Sequence, residues 1–127
     1  ENVGGGSDGP RYITRIDGKI QNRDIKLISN GGIDVNVSTL PYNFYQGSAV
    51  VLNNEIHILG SGDNSYRTKH YKYNGSTWTE VSTLPYNFYC GGSAVVLNNE
   101  IHILGSYDSS YRTKHYIVAI PVYKRIQ

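Results

Sequence analysis

The sequence has no methionine, a single cysteine (Cys90), a single tryptophan (Trp78) and two phenylalanines in 127 residues. One cysteine excludes an internal disulfide framework. No apolar run approaches the roughly 20 residues of a membrane helix, so we expect no membrane insertion. No basic-then-apolar leader marks a secretory signal. Because the chain begins without Met, we expect that it was processed or cut from a longer polypeptide.

Charge of one sign is also scarce. Twelve Lys and Arg face ten Asp and Glu, which leaves a formal charge of +2. The basic residues are scattered, so they form no electrostatic footprint for nucleic acid, and we expect no nucleic-acid partner. A mass of 14.2 kDa corresponds to one ordinary domain. What the chain has in quantity is Gly, with 14 residues, and Tyr, with 12.

An internal duplication dominates the sequence. Residues 37–71 and residues 81–116 are identical at 32 of 35 aligned positions once one inserted Gly (Gly91 or Gly92) is allowed. The differences are Gln46/Cys90, Gly62/Tyr107 and Asn64/Ser109. Chance does not produce such similarity, so the unit was duplicated, either recently or by design. A period of about 44 residues is typical of a propeller blade and unusual for a barrel or sandwich.

Within the repeated unit the pattern is that of strands, and no window favours a helix. Residues 49–52 and 55–59 predict two strands joined by an Asn53-Asn54 turn, since Asn tolerates the positive φ of such turns. Residues 66–73 predict a third strand. It ends at Asn74-Gly75, a strong hairpin signal, and residues 77–81 predict a fourth. We therefore expect an all-β fold.

The unit resembles the kelch repeat. The resemblance rests on GSAVVLNNEIHILGS followed by HYKYNGSTWTEVSTLP, which is a hydrophobic hairpin ending near Gly, then an aromatic residue and Trp78 at the expected spacing. Gly60-Ser61 and Gly105-Ser106 stand where the family has a Gly pair. Residues 117–121 replace the Trp hairpin in the second unit. The resemblance implies a β-propeller and gives structural roles to Trp78, Gly60 and Gly105, while the family's functions are diverse.

The chain then divides into four parts. Residues 1–10 predict a flexible Gly-rich leader, and residues 11–36 predict further hairpins, with turns at Asp17-Gly18 and Asn30-Gly31, that belong to a partial blade. Residues 37–81 are kelch-like repeat 1. Residues 82–127 are repeat 2 with a closing strand between 117 and 126. The terminal segments are alternatively mere cap strands.

This total of about two and a half blades falls short of the four to eight that a propeller needs. Self-assembly would solve the shortage, and three two-blade chains would close a six-bladed ring. The alternative is that other chains of a larger assembly complete it.

No catalytic constellation is visible, so we expect no enzyme, cofactor or metal. The four histidines form two repeat-related pairs about 13 residues apart, and they lack the convergence that a metal site needs. His57 alternates with Ile56 and Ile58, which predicts a position facing solvent or the next blade. Nothing pairs Cys90 with a base. Asp63, Asp108, Glu55 and Glu100 do not form the paired carboxylates of a glycosidase.

Two sets of loops suggest ligand binding. Tyr rings offer a flat apolar face with a hydroxyl, while Asn, Asp and Arg supply directional hydrogen bonds. The candidate ligand-binding residues are Tyr42, Asn43, Tyr45, Asp63, Tyr66 and Arg67, with Tyr86, Asn87, Tyr89, Asp108, Tyr111 and Arg112 in repeat 2. Alternatively, Phe44, Phe88 and the pair Tyr42 and Tyr86 pack between blades.

These features predict a non-catalytic binding or structural module. The near-identical repeats, rich in Tyr, Asn and Gly, are similar to those of phage tail, virion and bacterial surface proteins. That similarity implies a soluble, extracellular or surface-exposed protein that contacts a glycan or a receptor, with avidity from the repeats. The alternatives are a protein–protein adaptor propeller and an engineered repeat scaffold.

Overall fold

In a computed structural model of the chain, the described residues are 11–16, 19–24 and 32–122. They fall into two units, Glu1–Ser38 and Thr39–Gln127. The predicted leader, the Asp17-Gly18 turn, residues 25–31 and the end of the predicted closing strand lie outside the described residues. In the first unit, β1 (Arg11–Ile16) pairs antiparallel with β2 (Lys19–Asp24), as the hairpin prediction requires.

The second unit holds two antiparallel sheets with nearest-neighbour connections. Sheet 1 runs in the order β3 (Ser48–Leu52), β4 (Glu55–Leu59), β5 (His70–Tyr73) and β6 (Trp78–Glu80). Sheet 2 consists of β7 (Ser93–Leu97), β8 (Glu100–Leu104) and β9 (His115–Ile117). The described residues contain no α-helix, so the all-β prediction is confirmed.

The hairpin at the start of each sheet follows from its Asn pair. Asn53 and Asn54 have φ of 51° and 65°, and Asn98 and Asn99 repeat this with 52° and 62°. Positive φ at both central residues defines the tight turn whose twist matches that of paired strands. Leu52 therefore pairs with Glu55 across a two-residue turn. On sheet 1, Trp78 pairs with Tyr73, and their ring centroids are 4.9 Å apart, which gives Trp78 its structural role.

Three strand predictions need correction. Residues 66–69 precede β5, and a 3₁₀ turn occupies Asn64–Tyr66 instead, because the Asp63 carboxylate accepts a hydrogen bond from the Ser65 amide and starts the turn. Residues 33–35, the second strand of the hairpin predicted to turn at Asn30-Gly31, lie in no strand, and the Ile33 side chain is 65 % exposed. The predicted closing strand is assigned as strand only up to Ile117 in β9. The Val118 amide still donates to the Ile101 carbonyl of β8 at 2.8 Å, and residues 118–122 are not assigned as strand.

The two sheets share one core. Strand β3 packs against β7 and β8, so the contact joins repeat 1 to repeat 2. The buried members of the core are Leu52, Leu59, Leu84, Tyr86, Phe88, Ile101, Ile103 and Val118. Phe88 is 1 % exposed and is among the largest fully buried side chains. The loop between the sheets thus supplies part of the core that holds them together.

Residues 84–89, which we call the docking segment, lie on an edge of repeat 1. The Leu84 amide donates to the Thr68 carbonyl at 2.8 Å, and the Phe88 amide donates to the Arg67 carbonyl at 2.9 Å. The Ser61 amide donates to the Phe88 carbonyl at 3.2 Å. We call the edge formed by residues 59–61 and 67–68 the receiving face.

Gly60 explains how closely the docking segment approaches. Its φ is +69°, and a β-carbon at that position would lie 1.9 Å from the Phe88 carbonyl oxygen. Any side chain would therefore push the docking segment away from the receiving face as well as strain the backbone. The structural role expected for Gly60 follows directly from this contact. Gly105, its counterpart in repeat 2, also has positive φ, at +66°.

Shortening Phe88 tests the shared core. We expect Phe88→Ala to lower the free energy of unfolding by about 3–5 kcal/mol, because it leaves a cavity where the sheets meet. Chemical denaturation followed by circular dichroism measures the change. Thr77→Ala, at an exposed turn, is the control and is expected to shift stability by no more than about 0.5 kcal/mol. Equal effects from the two substitutions would contradict the core assignment.

Candidate ligand-binding loops

Each repeat brings two loops together at one edge. In repeat 1 these are residues 42–46 and residues 60–67. The Gly62 amide donates to the Tyr45 carbonyl at 2.6 Å, which ties the loops directly. The Asn43 side-chain amide donates to the Asp63 carboxylate at 3.1 Å, so two of the predicted binding residues are in contact. We call this pair of loops, and its counterpart in repeat 2, the loop edge.

A buried serine fixes the loop edge, and sequence reasoning did not single it out. Ser61 is fully buried, its hydroxyl donates to the Asn43 carbonyl, and the hydroxyl oxygen accepts from the Asp63 amide at 3.1 Å. Ser106 repeats the arrangement, since its hydroxyl donates to the Asn87 carbonyl at 2.6 Å. The available signal was the replacement of a Gly pair by Gly-Ser in both repeats. A hydroxyl there satisfies backbone groups that a second glycine would leave to other partners.

Tyr42 and Tyr86 do not present a ring to a ligand. Tyr42 is 7 % exposed and Tyr86 is 3 % exposed. Their hydroxyls donate to the carbonyls of Gly60 and Gly105, each at 2.9 Å. Burial, reinforced by the neighbouring Tyr71, raises the pKa of Tyr42. Burial likewise raises the pKa of Tyr86. Both tyrosines act as internal struts, which corresponds to the packing alternative.

Tyr66 and Tyr111 complete these struts. The Tyr66 ring stacks on Tyr42 with centroids 5.1 Å apart, and Tyr111 stacks on Tyr86 at 4.7 Å. Both are half-buried, so only one side of each ring is available. Stacked aromatic pairs contribute about 0.5–1.5 kcal/mol beyond the area they bury. Tyr66 and Tyr111 therefore serve mainly to support the loop edge, and they offer little ring surface to a ligand.

The exposed groups of repeat 1 lie around the Asn43–Asp63 contact. Tyr45 is 53 % exposed, and Asn43 is exposed beside it. The amide of Ser65 and then the side chain of Asn43 hold the pKa of Asp63 below its usual value. The Asp63 carboxylate therefore stays charged at neutral pH. The edge combines an aromatic face with a fixed amide–carboxylate pair.

Repeat 2 presents a different surface at the equivalent place. Tyr107 is 59 % exposed, and its ring centroid lies 5.8 Å from that of Tyr89. The Arg112 side chain donates to the Tyr107 carbonyl at 3.0 Å, and its guanidinium lies 5.6 Å from the Tyr107 ring. Asn87 is exposed, while Asp108 is engaged in starting a 3₁₀ turn by accepting from the Ser110 amide.

Arg67 is used inside the structure. It donates to the Gly62 carbonyl through both Nε and a terminal nitrogen, and its guanidinium lies 3.9 Å over the Tyr89 ring. This cation–π contact joins the two repeats. Tyr89 is accordingly only partly available to a ligand.

All differences between the aligned repeats fall at the loop edge. Gln46 and Gly62 are adjacent, because a β-carbon on Gly62 would lie 2.4 Å from the Gln46 side-chain oxygen. Cys90, the inserted Gly and Tyr107 replace that arrangement in repeat 2. Asn64 and Ser109 belong to the adjoining 3₁₀ turns. The hairpin strands β3 and β4 are identical in sequence to β7 and β8, so the two units share this part of the framework and differ in the groups exposed at the loop edge.

The histidines pair inside each sheet. His57 Nδ1 and His70 Nε2 are 2.8 Å apart, and both residues are buried. Of the two predicted positions for His57, the one facing solvent is wrong, and the one facing the next blade stays a prediction. His102 and His115 repeat the contact at 2.9 Å. His70 Nδ1 is buried without a hydrogen-bond partner in the described part of the chain. We therefore assign the proton to His70 Nε2, because a bare lone pair costs less there than an orphaned N–H.

No group of three or more potential metal ligands occurs among residues 32–122 or in the described hairpin. In the same described residues, no helix is long and apolar enough to cross a membrane. Comparison of the chain with models of known protein families gives no match, and comparison with curated proteins gives none.

The Tyr42 strut yields a stability prediction. Tyr42→Phe keeps the ring but leaves the Gly60 carbonyl without its donor, so we expect a loss of about 1–3 kcal/mol in unfolding free energy. Tyr42→Ala is expected to cost more, because the ring stack is also lost. Urea denaturation of both variants measures this. A Tyr42→Phe protein as stable as the parent would show that the hydroxyl contributes nothing.

The buried histidine pair predicts a pH dependence. Burial, followed by the nearby His57 and Lys72, lowers the pKa of His70 to about 3. Burial lowers the pKa of His57 as well, with Glu55 opposing and Lys72 adding to the effect. The unfolded chain takes up protons near pH 6.5, before the folded chain does, so stability is complete above that pH and falls below it.

For one such histidine, each pH unit below about 6.5 lowers the free energy of unfolding by up to about 1.4 kcal/mol. Urea denaturation between pH 7 and pH 5, where carboxylates change little, reports the slope. His70→Gln removes one titrating group and is expected to flatten the curve. A parent protein whose stability is constant across this window would contradict the buried neutral pair.

Proposed function

We propose that this chain is a non-catalytic recognition module whose two repeats are kelch-like propeller blades and whose loop edges bind a glycan. The nearest-neighbour antiparallel order of the four strands of sheet 1 supports the blade assignment. Trp78 lies on β6, the last strand of this sheet, in the hairpin with β5, and this position also supports the blade assignment. The resemblance predicted from the Tyr, Asn and Gly content of the repeats, to those of virion and bacterial surface proteins, is the basis for proposing a role on such a surface.

The observation that carries the glycan proposal is the confinement of the repeat differences to the loop edge. An exposed aromatic ring stands beside polar groups in both repeats, Tyr45 with Asn43 and Asp63 in one and Tyr107 with Arg112 in the other. Sugar rings stack on aromatic faces, and their hydroxyls bond to amides, carboxylates and guanidinium groups. Two related but unequal edges on one framework would bind two parts of one glycan or two neighbouring chains of it.

This proposal replaces part of the predicted residue set. Tyr42, Tyr86, Tyr66, Tyr111 and Arg67 serve as supports for the binding edge. Asn43, Tyr45 and Asp63 carry recognition in repeat 1. The corresponding group in repeat 2 is Asn87, Tyr89, Asp108 and Arg112, to which the structure leads us to add Tyr107. Each edge is weak alone, and repetition around an assembly supplies avidity.

A glycan array with the full chain tests the proposal. We expect Tyr45→Ala to weaken binding about tenfold, a loss of roughly 1.4 kcal/mol, and Asn43→Ala to act similarly. Tyr107→Ala reports on the edge of repeat 2. Because these side chains are exposed, thermal unfolding of the variants is expected to stay close to that of the parent.

Thr77→Ala is the matched control, since it is exposed on the turn before β6 and is expected to bind like the parent. Binding that survives both Tyr45→Ala and Tyr107→Ala would overturn the site. If the parent chain binds no glycan on the array but binds a purified cell-surface protein, the glycan proposal is wrong and the ligand is a receptor protein.

A further inference from the structure

The internal contact uses the docking segment of repeat 2 and the receiving face of repeat 1. The equivalent segment of repeat 1 and the equivalent face of repeat 2 take no part in it. The docking segment, residues 84–89, has a counterpart in residues 40–45, with Leu40 for Leu84 and Phe44 for Phe88. The receiving face has a counterpart in residues 104–106 and 112–113. Every residue of both counterparts is identical to the residue that it matches.

Within residues 39–122, nothing covers the counterpart docking segment as the receiving face covers residues 84–89. Leu40 is 41 % exposed, whereas Leu84 is 3 % exposed. Phe44 is half-buried, whereas Phe88 is buried. Strands β4 and β8 show the same difference, because Ile56 in β4 is 43 % exposed and its equivalent Ile101 in β8 is fully buried. Identical sequences therefore differ in burial because only one copy of each packs against the other repeat.

The counterpart receiving face is open as well. Leu104 is 37 % exposed, against 0 % for Leu59. At the other end of the β7–β8 hairpin, Leu97 is 57 % exposed, against 5 % for Leu52. A cavity of about 460 Å³ lies here, lined in part by Gly105, the residue equivalent to the Gly60 that admits the docking segment. Exposed apolar surface of this kind marks an interaction site.

The polar groups of the open face are arranged as in the filled one. Arg67 and Arg112 are anchored alike, each donating to the carbonyl of the residue five positions earlier. Arg67 reaches over Tyr89, whereas Arg112 is exposed and its guanidinium lies 5.6 Å from the Tyr107 ring. An aromatic residue in the position of Tyr89, such as Tyr45 of a second copy, would find Arg112 already oriented.

We propose that a second copy of this chain inserts residues 40–45 into the cavity at Leu104–Gly105, and so repeats the internal contact between copies. The amides of Leu40 and Phe44 would donate to the carbonyls of Thr113 and Arg112, as those of Leu84 and Phe88 do internally. The contact joins different faces, so it is head-to-tail and leads to a ring when the rotation closes. It rests on burial and on sequence identity rather than on the ligand proposed above, and within an assembly it would engage Tyr45 with Arg112 between copies, as Arg67 engages Tyr89 internally.

Blocking one face at a time tests the polarity of this contact. The parent is expected to form a discrete assembly of two or more 14.2 kDa chains by light scattering on a sizing column. Leu40→Asp blocks the segment and Leu104→Asp blocks the cavity, and each is expected to be a monomer. Mixed together, they retain one open face each and should give a dimer that grows no further.

Several results would overturn the proposal. A parent that is monomeric at all concentrations would show that these faces do not bind a second copy. Association of Leu40→Asp or of Leu104→Asp alone would indicate contact between like faces. Leu97→Asp serves if Leu104→Asp fails to fold, because Leu97 is more exposed and its equivalent Leu52 is buried by the internal contact, and circular dichroism checks each variant. Thr77→Ala must assemble like the parent.

Discussion

The close approach of Phe88 to Gly60 is the contact on which the described structure depends. It carries backbone hydrogen bonds between the docking segment and the receiving face, and it buries the ring where the two sheets meet. Each sheet has an apolar face that must be buried against another element. The loop between the repeats contributes Leu84, Tyr86 and Phe88 to the core in which the two sheets meet, and its position determines which groups stay exposed.

At the loop edge, some side chains are buried and hold the loops in place, while others are exposed to solvent. Tyr42 and Tyr86 point their hydroxyls at the glycine carbonyls and hold the turn from inside, while Ser61 and Ser106 tie the facing loop. What is left outside is small and differs between the repeats: Tyr45 and Asn43 on one, Tyr107 and Arg112 on the other. A rigid framework with variable exposed loops is the arrangement that recognition proteins commonly use.

Sequence reasoning succeeded where the information is local. The Asn53-Asn54 turn, the hairpin strands and the four-strand content of repeat 1 follow from turn chemistry and alternation. It failed where a residue's role depends on a distant partner. Nothing near His57 in the sequence indicates that His70 Nε2 lies 2.8 Å from its Nδ1. A tyrosine that follows a proline is equally compatible with a ligand-binding ring and with an internal support. The Asp63 cap likewise replaced part of a predicted strand with a 3₁₀ turn, because one side-chain hydrogen bond outweighed β propensity.

Residue-resolved amide hydrogen exchange tests the central contact most directly. If the docking segment is part of the core, the amides of Phe88 and Leu84 exchange as slowly as those of β4 and β8, through global unfolding. The contrary result is rapid exchange at Phe88 and Leu84 while the strands stay protected. That outcome would mean that the segment is a mobile loop, and that the contact between the repeats does not hold the fold together.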